Sequence, residues 1–159
     1  MTVFQAQNPN FEQVVRDSFS RQPFMEFIGA QLDMIKPGVC EIVVERQQGL
    51  TQQHGFFHGG LVSSLTDSAA GYAAYSLYPE DSTVLTVDFK VNFLNPSDGE
   101  RLRARSEVIR AGKKIYHLKG YVFAEKDGQN IHCLTGLFSM MCLLGKSDAP
   151  NLGRKAKKA

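Results

Sequence analysis

The stretch from Phe56 to Pro79 contains a single formally charged residue, Asp67. Its other residues are mostly small or apolar, and this composition over residues 58–78 predicts a helix that ends before the proline. A helix that is apolar on every side is normally buried on every side, so the rest of the chain must wrap around it. A lone carboxylate in such a helix costs free energy unless it is hydrogen-bonded or has a function.

The segments around this helix read mostly as strands. Residues 10–28 predict a short amphipathic helix with Asn10 as its N-cap. Six further runs have strand-like composition: 30–35, 39–45, 83–94, 101–110, 114–125 and 130–143. The short, turn-like breaks between the last four strands favour an antiparallel meander. The sequence therefore predicts an α+β fold in which about six antiparallel strands surround one long helix.

Length and composition are those of a single globular domain. The chain has 159 residues, of which 43% are hydrophobic and 21% charged, which argues against disorder. We expect one domain over residues 1–145 and a basic, disordered tail over residues 146–159. The chain has no apolar run long enough to span a membrane and no secretory signal, so we expect a cytoplasmic protein without a membrane partner. Three cysteines without zinc-site spacing are expected to be reduced packing residues: Cys40, Cys133 and Cys142.

Positive charge is concentrated in two places. Residues 101–119 carry seven cations against one anion, and residues 146–159 carry five cations against Asp148. Outside these two segments the chain is acidic. Local basicity within an acidic body fits a small anionic ligand better than nucleic acid, which usually requires a broad basic face.

His58, Gly59 and Gly60 stand where the long helix is predicted to begin. Free N–H groups at a helix N-terminus bind anions and can polarise a carbonyl group, and glycines let a ligand approach the backbone. Two interpretations remain open for each feature. The glycines form either part of an oxyanion hole or a hinge, and Asp67 is either a catalytic carboxylate in a cleft or a structural residue.

The spacing of these residues has a geometric consequence. His58 and Asp67 are nine residues apart, which is about 13 Å along a helix. One chain cannot bring both onto one reacting carbonyl, whereas two antiparallel helices related by a two-fold axis can. Small residues would allow such helices to approach closely: Ser63, Ser64, Ala70, Gly71 and Ala74. A catalytic site built from these groups predicts a homodimer with shared sites.

Residues 25–144 resemble a known family. The run His58-Gly59-Gly60 followed by Asp67, and then by the motif over residues 86–96 (TVDFKVNFLNP), is similar to the hotdog-fold acyl-CoA thioesterases of the phenylacetate-degradation (PaaI-like) type. The resemblance implies the hotdog fold, an acyl-CoA substrate, and dimers, often paired into homotetramers, with sites at the interface. It implies no metal or redox cofactor, coenzyme A being part of the substrate.

The resemblance also implies roles for individual residues. Asp67 would activate the attacking water or attack the thioester itself, the Gly60 N–H would polarise the carbonyl with His58 supporting that end, and Thr86 would help to hold the water. Gln52 stands where the family often has an asparagine that binds the water or the carbonyl. Four residues are expected to contact the substrate: Gly59, Lys113, Lys114 and Arg105, the three cations facing the coenzyme A phosphates.

Two other functions remain as alternatives. A hotdog protein could bind acyl-CoA without turning it over, or it could act as a hydratase or dehydratase. Release of free coenzyme A from acyl-CoA distinguishes the thioesterase from both. Six aromatic residues could line an aromatic or a medium-chain acyl pocket equally well: Phe24, Phe27, Phe56, Phe57, Tyr72 and Tyr75.

Overall fold

The computed structural model describes residues 4–146, Asp148 and Ala149. Most of the predicted basic tail, Ser147 and residues 150–159, lies outside the described residues. In chain order the elements are α1 Phe11–Ser20, α2 Pro23–Phe27, β1 Gln31–Lys36, β2 Val39–Glu45, a 3-10 turn Gln48–Leu50, α3 Gly59–Tyr75, β3 Ser82–Phe93, β4 Arg101–Ala111, β5 Ile115–Lys126 and β6 Gln129–Leu144.

The six strands form one antiparallel sheet in the order β1-β2-β4-β5-β6-β3. Strands β4, β5 and β6 form the predicted meander, but the prediction is wrong for β3, which pairs with β6. The physical reason is the connection over residues 94–100. Instead of turning tightly, it runs past the ends of β6 and β5, with backbone bonds from Leu94 N to Cys133 O and from Glu100 N to Glu125 O.

The sheet wraps around α3, which confirms the predicted hotdog fold. Thr66 is fully buried where the helix crosses the sheet, and a Cβ atom on Gly120 of β5 would lie only 2.6 Å from the Thr66 methyl carbon. The absence of a side chain at Gly120 therefore sets how closely helix and sheet approach. Burial on every side was the expectation, but one stripe of α3 is only half-buried: Ser63, Ser64, Asp67 and Ser68.

The predicted N-terminal helix is two helices, because the chain turns at Arg21 and Gln22 and Pro23 begins α2. Asn10 occupies the N-cap position of α1, although its side chain makes no capping hydrogen bond. The ring of Phe19 meets the edge of Tyr72 on α3 at 5.7 Å between centroids. In the described part of the chain, no helix is long and apolar enough to cross a membrane.

Candidate active site

The first turn of α3 is capped by His58. The backbone N–H of Gly60 donates a hydrogen bond to His58 Nδ1 at 3.0 Å, while the ring itself is exposed. Nδ1 accepts this bond and therefore carries no proton in this geometry. The structure thus places His58 and Gly60 in direct contact at the start of α3. The Gly60 N–H is therefore already engaged by the imidazole in this structure.

An aromatic cavity of about 330 Å³ lies beside this helix start. Gly59 lines it, and a Cβ atom on Gly59 would lie 3.2 Å from the ring of Phe93, so the glycine allows that ring to pack on the helix. Gln52 also lines the cavity, and its carboxamide oxygen accepts a hydrogen bond from the backbone N–H of His54. The loop therefore holds the oxygen of Gln52 in place and leaves its amino group for another partner.

Asp67 is bonded to Thr86. The Thr86 hydroxyl donates to Asp67 Oδ1 at 2.9 Å, across nineteen residues of sequence. Burial raises the pKa of the Asp67 carboxyl above its ordinary value of 3.8, and the hydrogen bond from Thr86 lowers it by less. A β-bulge between Thr86 and Asp88 interrupts the pairing of β3 with β6 at this point. Asp67 and Thr86 therefore place a carboxylate of raised pKa next to a hydroxyl group that can orient a water molecule.

A second cavity, of about 230 Å³, surrounds Asp67 and Thr86. Its walls come from the middle of α3, the start of β3 and the turn between α1 and α2: Gln22, Ser68, Gly71, Tyr72, Val84 and Leu85. None of its lining residues comes from the start of α3. Within one chain, Asp67 and Thr86 therefore lie in one cavity, and Gln52 and Gly59 line another.

Gln22 is a lining residue that the sequence did not reveal. It comes from the turn between α1 and α2, forty-five residues before Asp67. No local pattern marks this glutamine, since only the packing of α1 on α3 brings it to the cavity. Phe24 and Phe27, two aromatic residues near it in sequence, are instead 48% and 82% exposed.

The cations of β4 are largely engaged by carboxylates. Arg105 pairs with Glu41 at 2.5 Å, and Arg103 pairs with the same carboxylate at 3.0 Å. Lys113 and Lys114, in the exposed turn between β4 and β5, form no ion pair with any described residue. The positive charge available to an anionic ligand therefore lies at this turn more than on the strand.

Comparisons with known proteins agree with this architecture. A family model described as the thioesterase superfamily matches residues 54–131. The crystal structure of a thioesterase family protein from Silicibacter pomeroyi is 47% identical, with a TM-score of 0.84 over 85% of this chain and 99% of that one. The PaaI protein of Escherichia coli, from the phenylacetic acid degradation operon, has the same fold at 16% identity, with a TM-score of 0.76 over 89% of this chain and 99% of PaaI.

Among curated sequences, the medium/long-chain acyl-CoA thioesterase YigI of Escherichia coli K12 is 28% identical over 108 residues. The match covers 58% of this chain and 70% of YigI.

Proposed function

This chain belongs to the thioesterase superfamily and is a thioester hydrolase, and from this premise we propose that it hydrolyses acyl-CoA at sites shared by two copies of the chain. The observation that carries the proposal is the environment of Asp67, a half-buried carboxylate of raised pKa that is bonded to Thr86 inside a cavity. Support for the acyl-CoA substrate comes from the likeness to YigI and from the unpaired lysines of the β4–β5 turn.

In the proposed reaction, a water held between Thr86 and Asp67 attacks the thioester carbonyl carbon. Its oxygen forms the new bond to carbon while one proton passes to the Asp67 carboxylate. The C–S bond then breaks, and the same proton returns to the leaving thiolate, so that the products are a free acid and coenzyme A. In the alternative route, the Asp67 carboxylate itself attacks the thioester carbonyl carbon and releases the thiolate of coenzyme A. Water then hydrolyses the resulting anhydride, so the overall products are the same.

The negative charge that develops on the carbonyl oxygen requires a donor at the start of α3. The Gly60 N–H points from the N-terminus of this seventeen-residue helix and is our proposed donor. Since His58 Nδ1 occupies it in the free protein, the substrate oxygen would replace the imidazole as acceptor. His58 would then act at this end as an exchangeable cap, and the amino group of Gln52, which lines the neighbouring cavity, would be a second donor.

Two chains are required because Gly60 and Asp67 are seven residues apart on one rigid helix, about 10.5 Å along its axis. Gln52 and Gly59 also line a different cavity from Asp67. The edge strand β3 offers the surface for the second copy. It pairs only with β6 in the described sheet, and its exposed side chains include Leu85, Val87, Phe89 and Phe93, each 45–58% exposed. Such an apolar edge in a stable protein is normally covered.

An antiparallel pairing of β3 with its copy has the right polarity for a shared site. Asp67 contacts the Thr86 end of the strand, and the start of α3 contacts the Phe93 end. Reversing one strand against the other therefore brings the Asp67 cavity of one chain towards the helix start of the second chain. The coenzyme A phosphates would lie against Lys113 and Lys114. The contribution of Arg105 would be smaller, because Glu41 already offsets its charge.

A panel of acyl-CoA thioesters assayed with a thiol reagent tests this function. The wild type should release free coenzyme A, and Asp67→Asn should reduce kcat by roughly 10²- to 10⁴-fold, the usual contribution of a general base. Binding of acyl-CoA without release would contradict the proposal and favour a binding protein. Full activity in the variant would remove Asp67 from the mechanism.

Thermal unfolding of the same variant provides the control. The pKa of Asp67 is higher in the folded protein than in the unfolded chain. The folded protein therefore loses stability as the pH rises from the unfolded-state pKa to the folded-state pKa, and the loss is complete above both. At pH 7 the Asp67→Asn variant should therefore have the same melting temperature as the wild type or a higher one. A large decrease would mean that Asp67 is structural.

A further inference from the structure

The cavity around Asp67 has a polar end. Gln22 Nε2 donates a hydrogen bond of 2.7 Å to the hydroxyl of Tyr72, and both residues line the cavity. The Tyr72 hydroxyl also lies 3.3 Å from Ser18 Oγ on α1, and the tyrosine is only 3% exposed. The amide of Gln22 is therefore held in one orientation by a buried partner.

Counting donors and acceptors shows what this end can bind. The carboxamide of Gln22 has two N–H donors and one oxygen acceptor, and Tyr72 uses one of the donors. Gln22 is half-buried, and within the described residues no protein group bonds to its second N–H or to its oxygen. A hydroxyl group, which both donates and accepts, matches the two remaining positions.

The remaining residues that line the cavity exclude an anionic group as its ligand. Val84 and Leu85 are apolar, and Gly71 adds open space, since a Cβ atom there would meet only Val84, at 4.0 Å. The lining includes no cationic residue and one carboxylate, Asp67. A phosphate or a terminal carboxylate would therefore be unpaired here, whereas a neutral acyl group would not.

We infer that the cavity takes the acyl group of the thioester and that Gln22 selects acyl groups carrying a hydroxyl at their far end. This inference rests on the proposed function. Tyr72 follows Asp67 by five residues, about 7.5 Å along α3. An acyl chain of about six carbons covers that distance, because each C–C bond of about 1.5 Å advances a zigzag chain by a little over 1 Å. A chain of this length can extend from the Asp67 part of the cavity towards Gln22, which lines the same cavity.

The test compares 6-hydroxyhexanoyl-CoA with hexanoyl-CoA. The wild type should show the higher kcat/KM for the hydroxylated substrate, and Gln22→Leu should lower the ratio of the two values by about 3- to 10-fold, the effect of one neutral hydrogen bond. Gln13→Leu is the matched control, because Gln13 lies on the exposed side of α1, bonded to Asp17, and should leave the ratio unchanged. Tyr72→Phe removes the partner of the Gln22 amide and should lower the ratio in the same direction.

The outcomes separate this inference from the proposed function. An unchanged ratio in an active Gln22→Leu enzyme overturns the inference and leaves acyl-CoA hydrolysis standing. An equal loss with both substrates also overturns it, since Gln22 would then contact the coenzyme A portion that they share. If the wild type releases coenzyme A from neither these substrates nor any acyl-CoA of the panel, the proposed function itself fails.

Discussion

At the scale of single residues, the proposed chemistry depends on the hydrogen bonding and burial of one carboxylate, Asp67. The isolation of Asp67 in an apolar segment was visible in the sequence, and the family resemblance indicated Thr86. Their hydrogen bond was not visible, because it joins the middle of α3 to a strand nineteen residues later. The cap that His58 places on Gly60 was also missed, since an acceptor role for the imidazole depends on its orientation at the helix start.

The Thr86 hydroxyl stabilises the charged form of Asp67, so its removal should raise the carboxyl pKa further. In the profile of kcat/KM against pH, the acid limb of the wild type should lie above the ordinary value of 3.8. Thr86→Val should move that limb to higher pH, whereas Thr86→Ser, which retains the hydroxyl, should leave it near the wild-type position. A limb that stays in place in the valine variant would show that the carboxylate does not act as the base.

At the scale of helices and strands, most of the strand positions could be predicted from local sequence. Composition and turn residues located six strands to within a few residues, because strands and turns depend on nearby side chains. The position of β3 beside β6 could not be predicted, because the packing of the sheet around α3 decides strand order. The role of Arg105 needed the fold for the same reason, since its partner Glu41 lies sixty-four residues away on β2.

Gly71 shows how one helical position combines stability with space for the substrate. It lies inside α3 with open space where a Cβ atom would be. Gly71→Ala should therefore stabilise the protein by about 0.5–1 kcal/mol, which corresponds to a rise in melting temperature of roughly 1–4 °C. Gly71→Leu should fill the cavity and lower kcat/KM for acyl-CoA. Thermal unfolding and kinetics on both variants check this, and a destabilised alanine variant would contradict the open space.

At the scale of the whole molecule, the proposed function requires that each chain hold two incomplete halves of a site. The separation of about 13 Å between His58 and Asp67 could be predicted from helical spacing alone, and the observed α3 begins directly after His58 and includes Asp67. That each half lies in its own cavity, one at Gly59 and one at Asp67, required the structure. The apolar, half-exposed edge of β3 is the surface that we propose for the contact between two chains.

Subunit complementation tests this claim most directly. Gly60→Pro removes the proposed backbone donor and displaces the His58 ring, since a Cβ atom at this position lies 3.0 Å from Nδ1. Proline is tolerated in a first helical turn, so α3 should persist. Asp67→Asn removes the carboxylate. Each variant alone should be inactive, and a mixed dimer should have one site with both defects and one site with neither.

The measurement is thioesterase activity after equal amounts of the two inactive variants have exchanged subunits, with exchange verified by mass. Random pairing makes about half of the dimers mixed, and one site in each mixed dimer is intact, so activity should return to about a quarter of the wild-type value. Verified exchange without any return of activity would contradict a site shared between two chains and the positions assigned to its catalytic groups.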